Sequence, residues 1–346
     1  MKSCKQNVFI QNNKIMDSSN KLLTIIIPTY NRALLLKKAL SCLMPQTKDY
    51  SKWVDVYVSD NHSSDETEEI VQTFSHEYAN LIYHKQEKNI GGANNFLDAT
   101  KRVSSQYVAL LGDDDFVLPS YIETVFGILK NNPNVGLVNV NILSISEDNQ
   151  YIGTRDRVVV DGHTALYSSA VDLLKVHMIV PSLISSNIFL RYGFVSAMDS
   201  INKEEYPGYE WYYALMLSVI DKPCIYYDIP LLIQRQPNGE NVRWVSEAPL
   251  YFIYGFGHMF KSLDKLSPGL LAAWNDFFSK DATPQYLLTI LSKNRKYYRN
   301  KYSLLKNYVP HKRYGIQLYL YIHYPNFVAS NLIKVLKFLY HVIRRK

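Results

Sequence analysis

The first 150 residues alternate between short apolar runs and segments whose apolar residues recur at helical spacing. Residues 22–28 (LLTIIIP), 54–59 (VDVYVS) and 107–111 (YVALL) are rich in β-branched and aliphatic side chains. Such runs predict buried strands of a parallel sheet. Further strands are predicted at 81–84 and 135–145. Strands that alternate with helices predict an α/β fold built on a parallel sheet.

The intervening segments predict helices. Asn31 is a candidate N-cap for a helix that would bury one face, formed by Leu35, Leu36, Ala39, Leu40 and Leu43. Ser63 and Glu66 match a capping box before a second helix. Gly91-Gly92 would begin a third helix, which extends to about residue 102. The later sequence predicts a strand or buried segment at 180–190, a helix at 209–219, a strand at 225–234, and helices from about residue 248.

Polar side chains follow three of the predicted strands. Thr29-Tyr30-Asn31, Asp60-Asn61 and Asp113-Asp114-Asp115 lie where their strands end, and ligands of parallel α/β sheets bind at that edge. Three adjacent carboxylates repel one another and resist ionising together. Mg²⁺ or Mn²⁺ relieves this repulsion, because such ions bind through one or two carboxylates plus substrate phosphates. The alternative is a solvated acidic turn with no ligand.

Composition bears on the compartment and the partners. The 346 residues include three cysteines, at 4, 42 and 224, whose spacing fits no disulfide framework or metal site. Residues 1–20 are polar and lack the apolar core of a signal peptide, and no run of 18 apolar residues predicts a membrane span. The expected location is therefore the cytoplasm.

The net charge of +7 is unevenly distributed along the chain. Residues 293–346 contain 13 Lys/Arg and no Asp or Glu, which leaves 25 Lys/Arg and 31 Asp/Glu in the remainder. Residues 326–346 predict a basic amphipathic helix, which suits either the surface of an anionic membrane or packing as an ordinary C-terminal helix. No nucleic-acid-binding motif accompanies this charge, so no nucleic-acid partner is expected.

Four segments together resemble glycosyltransferase family 2. They are TIIIPTYNRALLLKKAL, VSDNHSSDETEEIV, NIGGANNFLDAT and YVALLGDDDFVLPSYIETV, and they follow the order and spacing of that family. The motif LLGDDD resembles the abequosyltransferase-like branch of bacterial surface-polysaccharide glycosyltransferases. The resemblance implies the GT-A fold, in which a Rossmann-like nucleotide-binding mixed sheet is flanked by helices, here with a helical basic C-terminal extension.

The resemblance also implies roles for individual residues. Pro28, Thr29 and Tyr30 would lie near the nucleotide, Asp60 would accept hydrogen bonds from its base, and Asn95 would help to close the donor pocket. The donor that the resemblance implies is a nucleotide-diphosphate sugar.

The acidic cluster would hold the metal, with Asp113, Asp114 and Asp115 as candidate ligands. Asp113 and Asp114 would also face the donor diphosphate. In an alignment without gaps, the first aspartate of the family's D-x-D motif falls on Gly112. Which aspartate contacts the Mn²⁺ or Mg²⁺ therefore stays open.

An inverting transferase needs a carboxylate that takes the proton from the acceptor hydroxyl. The segment GYEWYYALML (208–217) resembles the part of the family that carries this base, with Glu210 in place of an aspartate. Glu204 and Glu205 are competing candidates. Alternatively, Glu210 is a first-turn glutamate that only favours the helix dipole.

The resulting hypothesis is a metal-dependent inverting glycosyltransferase of bacterial surface-polysaccharide synthesis that adds one sugar to a lipid-linked glycan. Its predicted parts are a polar segment (1–20), a GT-A domain (21–246) and a helical basic region (247–346). Within the domain, 21–130 would bind the nucleotide sugar and 131–246 would face the acceptor. The alternatives are a nucleotidyltransferase, disfavoured because PTYNRALLL lacks a glycine-rich phosphate loop, and a non-catalytic nucleotide-sugar- or membrane-binding module.

Overall fold

A computed structural model describes residues 21–146, 148–154, 160–178, 182–202, 205–206, 209–236, 250–280, 291, 293–308, 312–325 and 328–335. These residues form two compact units. The first contains the described residues up to Asn131 together with Ile188–Tyr192, and the second contains Asn132–Asn187 and the described residues from Gly193 onward. The predicted polar segment 1–20 and the last eleven residues of the predicted basic helix, 336–346, lie outside the described residues. The predicted domain boundaries stay predictions.

The first stretch of chain alternates strands and helices, as its apolar pattern predicts. In chain order it contains β1 (Leu23–Thr29), α1 (Ala33–Thr47), β2 (Val54–Asp60), α2 (Thr67–Ser75), β3 (Leu81–Lys85), α3 (Gly92–Arg102), β4 (Tyr107–Leu110), β5 (Phe116–Val117) and α4 (Tyr121–Asn131). A single 3₁₀ turn, Lys48–Tyr50, follows α1.

The later elements begin with β6 (Leu137–Ser146), β7 (Tyr151–Thr154), β8 (Thr164–Tyr167), α5 (Ala170–Val176), β9 (Asn187–Leu190), α6 (Arg191–Ser200), α7 (Glu210–Val219) and β10 (Cys224–Gln236). The chain then becomes helical: a π-helical turn at Leu250–Gly255 precedes α8 (Phe256–Asp264), α9 (Leu270–Lys280), α10 (Arg295–Arg299), α11 (Tyr302–Leu305) and α12 (Lys312–His323). Two further 3₁₀ turns lie at Asp161–His163 and Ile184–Ser186. Residues 328–335 are also helical.

The sheet of the first unit has the strand order β3-β2-β1-β4-β9. Strands β1 to β4 are parallel to one another, and Ile188–Leu190 of β9 run antiparallel to β4. The strand β1 lies inside this sheet, and the consecutive residues Ile25, Ile26 and Ile27, which alternate between its two faces, are all 0% exposed. This burial on both faces explains why β1 reads as a continuous apolar run, and it confirms the predicted α/β class.

The second unit contains its own strand pairs and most of the helices. Strand β10 is parallel to β6, β7 is antiparallel to β6, and β8 is antiparallel to β10. In the helical part, the indole of Trp274 on α9 stacks on the ring of Phe260 on α8, with ring centroids 5.1 Å apart. The predicted helical C-terminal region is therefore present. Within the described residues, no helix has both the length and the apolar character that a membrane span requires.

Two local helix predictions are wrong. Asn31 does not cap α1, because the N-cap position is Arg32, whose side chain makes no capping bond. The side chain of Asn31 instead accepts a hydrogen bond from Ser64 N at 2.8 Å. Ser63 and Glu66 do not form a capping box either, since α2 begins at Thr67 and the Ser63 hydroxyl oxygen accepts a bond from Asn31 N.

Candidate functional site

The first unit brings the predicted nucleotide and metal residues to one edge of its sheet. Thr29 and Asp60 are the last residues of β1 and β2 and are direct partners in the parallel register. Leu111, just past β4, donates its N–H to Ile26 O on β1, and the acidic cluster follows it. The carboxyl ends of three neighbouring strands therefore meet at this edge, where α/β sheets bind ligands.

The carboxylate of Asp113 accepts hydrogen bonds from two side chains, one at the end of β1 and one in the loop that follows it. Thr29 Oγ1 donates to its Oδ2 at 2.9 Å, and Arg32 Nη1 donates to its Oδ1 at 2.9 Å. Burial raises the pKa of the Asp113 carboxyl, and the bonds from Arg32 and Thr29 offset this only in part. Asp113 thus ties the turn after β4 to the end of β1 and to the loop that follows β1, and its role as a metal ligand stays a prediction.

Arg32 also reaches the second aspartate of the cluster. Its Nη1 lies 3.1 Å from Asp114 Oδ2, so one nitrogen bridges two carboxylates. Partial burial acts to lower the pKa of Arg32, but the charges of Asp113 and Asp114 outweigh it and the pKa is raised. Sequence reasoning missed this residue, although it directly follows Asn31 in the segment PTYNR.

The remaining two carboxylates face Gly112. A methyl group placed on Gly112 would lie 3.1 Å from Asp114 Oδ1 and 3.1 Å from Asp115 Oδ2, so both oxygens turn toward the space beside this glycine. Among the described residues, no three acidic, histidine or cysteine side chains converge as a metal site. Two carboxylate oxygens that approach the same glycine, which has no side chain to come between them, nevertheless fit Mg²⁺ or Mn²⁺, which take their other ligands from water and substrate phosphates.

Asp60, the predicted base ligand, lies inside the unit and is 0% exposed. Its Oδ1 accepts a hydrogen bond from Ser63 N at 2.8 Å, and its Oδ2 accepts one from the Tyr83 hydroxyl at 2.7 Å. Burial and the bond to Asp60 raise the pKa of Tyr83. Asp60 therefore fixes the loop after β2, and its contact with a base stays a prediction.

Asn95, predicted to help close the donor pocket, ties α3 to the end of β2. Its Nδ2 donates to Ser59 O at 2.8 Å, and its Oδ1 accepts from Ser59 Oγ at 2.8 Å and from Gln86 Nε2 at 3.2 Å. The residue is 1% exposed. These bonds place the beginning of α3 beside the carboxyl edge of the sheet, while the contact of Asn95 with a donor stays a prediction.

Hydrogen bonds of Asp65 connect the β1–α1 loop to the β2–α2 loop at this edge of the sheet. Asp65 Oδ2 accepts from Ala33 N at 2.9 Å and its Oδ1 accepts from Thr67 N at 3.2 Å, so one carboxylate caps both α1 and α2. Asn31, with φ of 53°, occupies the left-handed region that asparagine tolerates. Sequence reasoning did not single out Asp65, although the turn around it belongs to the motif VSDNHSSDETEEIV.

The two other predicted nucleotide neighbours are accessible. Tyr30 is 45% exposed directly after β1, and Pro28 is partly exposed within β1, where it pairs with Ser59. Both belong to the same sheet edge as Thr29. Their contact with a nucleotide stays a prediction.

The predicted catalytic base lies in the second unit. Glu210 is the first residue of α7. Its Oε2 is buried and has no hydrogen-bond partner among the described residues. Burying a carboxylate oxygen without a partner is costly, so the helix-dipole role alone gives no reason for this placement. Of the competing carboxylates, Glu205 is exposed and accepts a bond from Asn202 Nδ2, and Glu204 lies outside the described residues.

Comparison with known proteins identifies the family. Residues 24–188 match the family model described as "Glycosyl transferase family 2". The chain is 35% identical over 132 residues to the GalNAc(5)-diNAcBac-PP-undecaprenol beta-1,3-glucosyltransferase of Campylobacter jejuni, a match that covers 37% of this chain and 40% of the relative. It is 32% identical over 124 residues to the Escherichia coli UDP-Glc:alpha-D-GlcNAc-diphosphoundecaprenol beta-1,3-glucosyltransferase WfgD, covering 36% and 47%.

Abequosyltransferase RfbV of Salmonella typhimurium is 33% identical over 95 residues, covering 27% of this chain and 28% of the relative. Each of these matches thus spans less than half of the relative's length. The crystal structure of S. aureus TarS 1-349 superposes with a TM-score of 0.56 at 16% identity, covering 87% of this chain and 86% of that one. This likeness confirms the GT-A fold. Residues 24–188 of the chain belong to glycosyl transferase family 2.

Proposed function

We propose that the chain transfers one sugar from a nucleotide-diphosphate sugar to a lipid-linked glycan in bacterial surface-polysaccharide synthesis, with a divalent cation and with inversion at the anomeric carbon. The observation that carries this proposal is the sheet edge where Thr29, Asp60 and the acidic cluster meet in a family 2 fold. The two undecaprenol-linked relatives support the acceptor class, because both names specify a glycan on a diphosphoundecaprenol or PP-undecaprenol carrier.

The donor end of the reaction depends on the carboxylates beside Gly112. Asp114 Oδ1 and Asp115 Oδ2 would hold the cation, and their placement at the carboxyl ends of the strands would set the donor diphosphate against the same edge. A bound Mn²⁺ or Mg²⁺ supplies compensation for the negative charge that grows on the departing nucleotide diphosphate. Thr29 fixes Asp113, and through it the turn that carries the two ligands.

The acceptor end depends on Glu210. As the acceptor hydroxyl attacks the anomeric carbon, Glu210 Oε2 takes its proton, and the C–O bond to the nucleotide diphosphate breaks on the opposite face of the sugar. An oxygen that is buried and has no hydrogen-bond partner among the described residues is suited to this role, because it gives up none of those bonds when it accepts the proton.

Nucleotide release from UDP-, GDP-, CDP- and dTDP-sugars, with Mn²⁺ and with EDTA, tests the donor half. We expect metal-dependent release of a nucleoside diphosphate from one donor. Asp114→Ala or Asp115→Ala should reduce release at least 100-fold, whereas Asp49→Ala, which removes an exposed carboxylate elsewhere in the first unit, should leave it unchanged. Full activity in both cluster variants would contradict the metal assignment.

Further measurements separate the alternatives. A nucleotidyltransferase would release pyrophosphate from a nucleoside triphosphate and a sugar phosphate. A non-catalytic module would be stabilised thermally by a nucleotide sugar without releasing nucleotide. Determination of the anomeric configuration of the glycan product by NMR tests inversion, and retention of the donor configuration would refute the single displacement.

Glu210→Gln tests the acceptor half, because it keeps the shape of the side chain and removes the base. Donor affinity should stay within twofold of the native value, and transfer to the acceptor should fall at least 100-fold. Glu205→Gln, which alters an exposed carboxylate a few residues earlier, is the matched control. Loss of transfer in the control, with native transfer in Glu210→Gln, would move the base to Glu205.

The proposal includes contact between the basic helical region and an anionic membrane. Tyr297 and Tyr319 are 43% and 41% exposed, and the ammonium of Lys301 lies 4.9 Å from the ring centroid of Tyr297. Exposed aromatic rings interleaved with cations suit a headgroup layer. We expect the protein to float with phosphatidylglycerol vesicles and not with phosphatidylcholine vesicles. Lys296→Glu with Arg299→Glu should abolish flotation, and equal flotation with both lipids would contradict the electrostatic contact.

A further inference from the structure

One nitrogen of Arg32 lies between two carboxylates of the acidic cluster. Nη1 is 2.9 Å from Asp113 Oδ1 and 3.1 Å from Asp114 Oδ2. The Arg32 side chain is 50% exposed, whereas that of Asp113 is 7% exposed. The guanidinium therefore approaches a largely buried carboxylate from the solvent side of the cluster.

The backbone of Arg32 is firmly held while its charged group is accessible. Its carbonyl accepts hydrogen bonds from Leu35 N and Leu36 N, both at 3.0 Å, in the first turn of α1. The preceding residue, Asn31, is fixed on both its backbone and its side chain by Ser63 and Ser64. A change in the position of the guanidinium thus requires only rotation of the side chain.

The guanidinium and a divalent cation compete for the same carboxylates. Asp114 offers Oδ2 to Arg32 and turns Oδ1 toward Gly112 beside Asp115. A cation bound at Asp114 would lie close to the guanidinium, and like charges at such short range repel strongly. The cluster is therefore already neutralised in part by a residue of the protein itself.

We propose that Arg32 is a positioning residue that occupies the acidic cluster until the nucleotide diphosphate arrives, then turns to the diphosphate and leaves Asp114 to the cation. A guanidinium matches phosphate oxygens bidentately, so the incoming diphosphate replaces the carboxylates as its partner. Bare cation binding is consequently weak, and cation and nucleotide strengthen each other's binding. The inference rests on the proposed function, because it requires a nucleotide diphosphate as ligand.

Binding of Mn²⁺ alone, followed by electron paramagnetic resonance of the free ion, tests the first half. Arg32→Met removes the charge and keeps much of the stem, and it should bind Mn²⁺ at least tenfold more tightly than the native protein. Arg32→Lys keeps the charge and should stay within threefold of native affinity. Arg102→Met removes a different paired arginine of the same unit, whose Nε lies 2.6 Å from Asp98 Oδ2, and should change nothing.

Each variant is first checked for native thermal unfolding, and Arg32→Gln replaces Arg32→Met if the latter fails to fold. Unchanged or weaker Mn²⁺ binding in the uncharged variant would overturn the inference. Absence of Mn²⁺ binding in both the native protein and the uncharged variant would overturn the inference as well. In that case Arg32 and the cation would not compete for the carboxylates.

The second half is a coupling between two ligands, which is reciprocal. Saturating UDP, GDP, CDP or dTDP, whichever binds, should tighten Mn²⁺ binding by the native protein, and Arg32→Met should reduce this gain at least tenfold. An equal gain in both proteins would refute the exchange. If the protein turns over a donor but Arg32→Met binds Mn²⁺ as the native protein does, this inference alone is refuted. Tighter Mn²⁺ binding in Arg32→Met without turnover of any donor would refute the proposed function alone.

Discussion

Removing the Tyr83 hydroxyl should measurably destabilise the first unit. The hydroxyl donates to Asp60 Oδ2 at 2.7 Å, and Asp60 is 0% exposed. Tyr83→Phe would leave that oxygen without this donor, while Oδ1 keeps its bond from Ser63 N. The substitution preserves the ring, so the lost hydrogen bond is the main change.

The magnitude follows from the burial of the acceptor. A hydrogen bond to a charged group contributes about 1.5–3 kcal/mol. Because Tyr83 itself is partly exposed, water can replace some of this bond. We therefore expect a loss of about 2 kcal/mol, which is roughly a 30-fold change in the opening equilibrium. The raised pKa of Tyr83 keeps the hydroxyl protonated and donating, so the loss should not vary between about pH 6 and pH 9.

Native-state hydrogen exchange read by mass spectrometry can localise this effect. Peptides covering β2 and β3 should exchange faster in Tyr83→Phe, with a fall in opening free energy of about 2 kcal/mol. Tyr192→Phe is the control, since Tyr192 is 80% exposed in the same unit and its loss should stay below about 0.5 kcal/mol. If the two variants were equal, the hydroxyl of Tyr83 would not stabilise the Asp60 carboxylate and the reasoning would fail.

Three further perturbations follow from the hydrogen bonds. Asp65→Ala removes caps from both α1 and α2 and should cost about 2 kcal/mol in urea unfolding, at about 1 kcal/mol per cap; a loss confined to one helix in hydrogen exchange would contradict the shared cap. Ser169→Ala uncaps α5 and should cost about 1 kcal/mol at pH 7. Hydrogen bonds from Ser168 and Ser169 lower the pKa of Asp172, so its stabilisation is present above its unfolded pKa and lost as the pH falls through the lower folded value. In urea unfolding at a series of pH values, the loss of unfolding free energy caused by Ser169→Ala should therefore become smaller below about pH 4. A loss that does not change with pH would show that the Asp172 carboxylate does not contribute to it. Asn95→Ala removes three buried bonds and should lower the thermal midpoint more than Asn94→Ala, which alters an exposed neighbour.

The strands and helices could be predicted because the spacing of apolar residues within each segment is visible in the sequence. The run Leu23–Thr29 is apolar at nearly every position because β1 is covered on both faces, and Gly91-Gly92 does begin α3. From the order of strands and helices, the sequence also predicted that Thr29, Asp60 and the aspartates would share one sheet edge. The family resemblance then supplied candidate roles for those residues.

The cap of α1 could not be predicted from local sequence. Asn31 and the Ser63–Glu66 pair have suitable side chains at suitable spacing, yet Asp65 caps both helices. A local rule assumes that a cap lies next to its own helix. Here β1 and β2 are neighbours in the sheet, so the loops that follow them meet and the nearest acceptor for α1 comes from the other loop.

The three aspartates were equivalent in the sequence, and the tertiary structure made them different. Thr29 and Arg32 reach Asp113 because β1 lies beside β4, whereas Asp114 and Asp115 turn oxygens toward Gly112. The sequence determined that carboxylates would gather at the end of a strand. Only the folded chain decided that Asp113 accepts bonds from both Thr29 and Arg32, and that Arg32 also pairs with Asp114. The physical reason is that the spacing of apolar residues is a property of one segment of the chain. The hydrogen-bond partners of a residue depend instead on which strand ends the sheet brings together.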